Sequence, residues 1–152
     1  MPSENWMRDD KIRGSERLLP IYKECKNEID LMRREKEEAV KIVQQMIEIF
    51  QSAEQAIETP KLYQYALNSL KYELSLVKLV KYFTTAYFYW LHWKETGEEK
   101  EEVIARENIE KWAEEWNYYQ NEIPKLEGVA SLFRDDGMVK TIREIQHSLG
   151  VW

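Results

Sequence analysis

The sequence predicts an all-α protein, an elongated three- to four-helix bundle built on a long antiparallel helical hairpin. Three observations carry this. Only 5 glycines and 4 prolines occur in 152 residues, too few to turn a many-stranded sheet. The chain holds 37 Leu, Ile, Val and Phe residues, enough for a core. Apolar residues recur at alternating spacings of four and three, the period of a helix that buries one face. Charged residues make up 33% but nearly balance, 28 acidic against 22 basic, beside 43% hydrophobic residues, which excludes intrinsic disorder.

The first helix is expected over residues 20–58, after an N-terminal arm of residues 1–19. Its seam runs Leu18, Tyr22, Cys25, Ile29, Met32, Ala39, Val43, Met46, Phe50, Ala53 and Ile57, with Lys36 as the one polar break. Val40, Ile42, Ile47 and Ile49 widen the stripe in the second half, which predicts more than one neighbour there. Pro20 suits the first turn of a helix, where its missing N–H costs nothing.

The second helix is expected over residues 60–96, with Thr59 as N-cap, Pro60 at the first position and Gly97 able to take the left-handed conformation after the last turn. Two helices of nearly 40 residues joined by almost no loop form a hairpin roughly 55 Å long at 1.5 Å per residue. From Val80 to Trp93 apolar residues occupy nearly the whole circumference, so that end is surrounded. A third helix over 99–123 carries Ala105, Ile109, Trp112, Trp116, Tyr119 and Ile123 and stops at Pro124. The connection to Asp136 holds Leu126, Val129, Leu132 and Phe133 and is expected to pack over the bundle. A last helix, 138–149, capped by Asp135 or Asp136, places Met138, Ile142, Ile145 and Leu149 on one face. It either extends the third rod or folds back as a fourth. Residues 20–152 read as one domain.

Function is less legible. A net charge of −6 argues against a nucleic-acid surface, which needs an excess of Lys and Arg on one face. The most apolar stretch, Leu74 to Leu91, contains Lys78 and Lys81 and is too short for a membrane span. No apolar signal segment precedes the bundle, which favours a cytoplasmic location, and the lone Cys25 forms no internal disulfide. Glu144-Ile145-Gln146-His147 has the carboxylate-histidine form of a di-iron helix once, but the positions before His92 do not repeat it. There is no glycine-rich phosphate loop, zinc spacing or recognisable nucleophile, so no catalytic residue, metal or cofactor is expected.

The anomaly is the aromatic content, 6 Trp, 9 Tyr and 4 Phe, concentrated in Tyr82 to Trp93 and Trp112 to Tyr119. Tyr82, Tyr89 and Trp93 share one helical face, while Phe83, Tyr87 and Trp90 share the adjacent one. Either other helices cover both faces or one is left for a partner. The residues expected at a contact surface are Tyr89, Trp93, Phe133 and Arg134, the last because a guanidinium pairs with carboxylates and stacks on rings.

The run Tyr87-Phe88-Tyr89-Trp90-Leu91-His92-Trp93-Lys94-Glu95-Thr96-Gly97, the segment Trp112-Ala113-Glu114-Glu115-Trp116, and the stretch from Gly128 to Gly137 resemble the helical C-terminal domains appended to some bacterial glycoside hydrolases. The resemblance covers roughly residues 62–149. It implies a non-catalytic accessory or assembly domain, whose partner is a protein or a catalytic domain in the same parent chain that carries the carboxylate pair. None of that family's catalytic residues maps onto this chain. The alternative expectation is a free-standing adaptor that dimerises through its hairpin.

Overall fold

The structure, a computed structural model, describes residues 15–56, 58–129 and 136–151. Among the described residues five helices follow in order: α1 Ser15–Cys25, α2 Ile29–Ser52, α3 Pro60–Thr96, α4 Glu99–Asn121 and α5 Asp136–Leu149, with single 3₁₀ turns at Lys26–Glu28, Glu54–Ala56 and Ile123–Lys125. No strand occurs among the described residues, and the all-α bundle that the spacing predicts is what forms.

The long helix expected over 20–58 is broken. Cys25 and Glu28 leave helical geometry at φ −115° and −126°, and a 3₁₀ turn separates α1 from α2. The reason is the length of the partner. α2 runs antiparallel to α3, with Asp30 beside Tyr89 and Phe50 stacked on Tyr63 at 5.0 Å, so Lys26 already meets Glu95 near the end of α3. A straight continuation would outrun α3 and leave Leu18 and Tyr22 in water. The bend instead returns both to the core, Tyr22 lying 6.1 Å from Phe88. Hydrophobic burial of two large side chains outweighs the few helical hydrogen bonds lost at the bend. Pro20 consequently lies inside α1 rather than opening a helix.

The start and end of α3 follow their sequence signals. Pro60 occupies its first turn, although Thr59 makes no side-chain capping bond, and Gly97 adopts φ +72° while its N–H donates to the Trp93 carbonyl at 2.7 Å. α3 is the central rod. Every residue from Phe83 to Trp90 is buried, because α1, α2, α4 and α5 all pack around this end. α5 folds back as a separate rod. Asn68 Nδ2 donates to the Glu127 carbonyl at 2.8 Å, which fixes the end of the α4 segment low on α3, yet Trp90 Nε1 donates to Ser148 Oγ at 3.0 Å, 22 residues further up. At 1.5 Å per residue the chain climbs back roughly 33 Å. The connection packs over the bundle as expected at Leu126 and Val129, and Gly128 is needed there: its φ is +85°, and a Cβ would meet the Tyr65 ring at 3.0 Å.

Candidate functional site

Two regions bear on function: the aromatic end and the opposite arm of the hairpin. At the aromatic end, Tyr89 is 1% exposed, so the residue expected on a contact surface belongs to the core. Its face of α3 meets α2. The Tyr89 hydroxyl donates to the Asp30 carboxylate, and the Arg33 guanidinium lies 5.6 Å over the ring, so one phenol joins an anion and a cation from the neighbouring helix. Trp93 is partly buried and packs against the core edge, and Tyr82 is partly buried under the Lys81 amine. Phe133 and Arg134 lie outside the described residues. The second aromatic segment forms a ladder. Trp112 stacks on Trp116 at 5.2 Å, Trp116 on Tyr119 at 5.6 Å, and Tyr119 meets Tyr72 of α3 at 6.1 Å. Both faces left open by the sequence are therefore covered by the chain's own helices.

Two polar links in this end escape helical periodicity. His92 Nδ1 lies 3.1 Å from the buried Glu101 carboxylate, where the last turns of α3 meet the first turn of α4 across Gly97. Tyr22 places its hydroxyl near the same carboxylate and that of Glu95. Burial, and then these two negative charges, push the Tyr22 phenol up to about 12. Tyr89 is raised by burial and by Asp30, with Arg33 pulling the other way. Both phenols favour the neutral form in the folded state, whereas an unfolded tyrosine ionises near pH 10. The stability that depends on the neutral phenols is full below pH 10 and is lost as pH rises, for Tyr22 through about 12 and for Tyr89 higher still. Urea titrations at pH 9 and pH 11.5 should thus show a clear drop in unfolding free energy at the higher pH, lessened in Tyr22→Phe; equal values for the wild type would contradict the buried setting of these hydroxyls.

The opposite arm is bare. α4 covers α3 only as far as the Tyr119–Tyr72 contact, and the connection covers it to Tyr65. Beyond that, among the described residues, α2 packs on α3 as a two-helix hairpin, without the further neighbour that the widened stripe predicts. The stripe faces water: Ile42 is 49% exposed, Met46 48% and Ile49 69%, and Leu62 at the same end of α3 is 64% exposed. Ile42, Met46 and Ile49 stand at i, i+4 and i+7, one ridge of the helix. Lys36, the polar break in the seam, is half-buried nearer the middle, where burial holds its amine below the usual lysine range.

Among the described residues no group of three His, Cys, Asp or Glu is placed to hold a metal ion, and no helix is long and apolar enough to cross a membrane. His147 is exposed in the last turn of α5. The chain matches no family model, no curated protein and no solved structure.

Proposed function

We propose that the chain is a non-catalytic assembly module that pairs with a second copy of itself through the bare arm of the α2–α3 hairpin. The observation that carries this reading is the exposed ridge of Ile42, Met46 and Ile49, together with the exposed Leu62 near the start of α3. A two-helix hairpin cannot bury an apolar ridge on its outer side. Two such hairpins related by a two-fold axis supply each other's missing neighbours and make a four-helix bundle, in which one patch meets its own copy. Among the described residues the other end is filled by its own aromatic side chains, and its exposed Leu31 and Val103 stand singly on different helices rather than as a ridge, which favours the arm as the contact.

Hydrogen exchange at two protein concentrations tests the reading. Between 1 and 100 μM the amides of residues 40–56 and 60–67 should gain protection, while those of 83–90 stay unchanged. A second reading rests on the resemblance over residues 62–149, in which the module is the helical appendage of a carbohydrate-active enzyme and the arm packs against a catalytic domain of the parent chain. In that reading concentration leaves the arm unprotected, and this outcome would overturn pairing with a second copy.

A further inference from the structure

An open groove of about 370 Å³ runs between α3 and α4, lined by Lys71, Ser75, Lys78 and Tyr82 from α3 and by Lys111 and Tyr118 from α4. The spacing explains the lining: residues 71, 75, 78 and 82 fall on one face of α3, and 111 and 118 on one face of α4. The volume lies within the range of sites for small molecules.

Two features of the groove are not explained by folding alone. First, none of the three ammonium groups forms an ion pair with a carboxylate among the described residues, although Glu114 and Glu115 line the same groove; elsewhere Lys26 and Lys125 do find carboxylate partners. Lys81 stands close behind: the negative charge of Glu37 and the positive charges of Lys111, Arg33 and Lys78 are all felt at its amine, and Arg33 is paired with Glu37 at 3.3 Å. Lys71, Lys78, Lys81, Lys111 and Arg33 thus gather at the groove against the carboxylates of Glu37, Glu114 and Glu115, in a chain of net charge −6. Second, Ser75 is 1% exposed and its hydroxyl, beside the Glu115 carboxylate, makes no hydrogen bond of ordinary geometry. A serine in a helix ordinarily bonds back to the carbonyl four residues earlier, and a buried hydroxyl without a partner is costly. The Glu115 carboxylate across the groove is pushed up by burial and drawn down by Lys78 and by this hydroxyl.

We propose that the groove binds a small organic anion, a phosphate monoester carried on a flat ring. Ser75 donates to a phosphate oxygen, Lys78 and Lys111 neutralise its charge, and the ring lies against a tyrosine of the groove wall. Charge-assisted bonds of this kind are the strong ones, and an aromatic wall adds stacking without demanding one particular ring. The site is separate from the bare arm, so the two proposals stand or fall independently.

Phenyl phosphate and inorganic phosphate, titrated at constant ionic strength into the isotopically labelled full chain and followed by amide chemical shifts, provide the test. Phenyl phosphate should bind saturably and move amides within 71–82 and 111–118, and inorganic phosphate should move the same amides with weaker affinity. The double variant Lys78→Gln/Lys111→Gln should weaken phenyl phosphate binding at least about tenfold and Ser75→Ala several-fold, with the spectrum of the fold retained; Lys140→Gln on α5 should change nothing. Shifts that stay linear with concentration and spread over lysines throughout the chain, or an affinity unchanged in the double variant, would overturn the site.

Discussion

Phe83→Ala should lower the unfolding free energy by about 3–5 kcal/mol, the range for removing a fully enclosed aromatic ring. Phe83 is wholly buried and lies 6.3 Å from the Tyr87 ring, at the end where the other helices gather round α3. With total stability of about 5–15 kcal/mol for an ordinary domain, this change removes a large share of the margin. In a protein of this size it corresponds to a fall of roughly 6–20 °C in Tm. Urea and thermal melts of the variant check it. Ile49→Ala, at the exposed ridge, should stay within about 0.5 kcal/mol in the monomer. A Phe83→Ala protein as stable as the parent would show that the aromatic end is loosely packed and that the organisation of the bundle around α3 is misplaced.

Ile42→Glu/Ile49→Glu should weaken self-association roughly a thousandfold while leaving the monomer folded. In a two-fold interface every substitution occurs twice, so the pair removes four isoleucines from the contact. Each side chain has about half of its surface still to bury. That places the loss at about 1 kcal/mol apiece, about 4 kcal/mol together, before any cost of bringing carboxylates into an apolar seam. Light scattering on the variant should give the monomer mass at concentrations where the parent is dimeric, with an unchanged circular dichroism spectrum. A dimer that survives the substitutions would move the interface elsewhere.

The fold was legible in the sequence wherever a helical rule applies locally. Thr59-Pro60 and Gly97 mark the limits of α3, and the apolar circumference from Val80 to Trp93 foretells that this end is enclosed. The bend at Lys26–Glu28 was not legible, because the four-three seam runs through it unbroken: Tyr22, Cys25 and Ile29 keep the spacing whether the helix is straight or folded. What bends it is the length of α3, a tertiary fact. The same limit explains Tyr89. Spacing puts it on a face with Tyr82 and Trp93, but only three-dimensional packing reveals that α2 arrives there with Asp30 and Arg33. The Ile42 to Ile49 stripe was visible as apolar, and read as facing a second neighbour. Among the described residues no element takes that place, since α4 ends at Asn121, before reaching the arm. Lys78 and Lys81 stood out in the sequence only as interruptions of an apolar run. Their gathering with Lys111 beside a buried serine depends on the register of α3 against α4, which periodicity does not set.

The most direct measurement is the molar mass of the unmodified chain by light scattering, in a dilution series down to low micromolar concentration. Assembly through the arm predicts twice the 18.4 kDa chain mass at the top of the series and a decline toward the single-chain value on dilution. A mass of 18.4 kDa throughout, from the highest concentration downward, would contradict it.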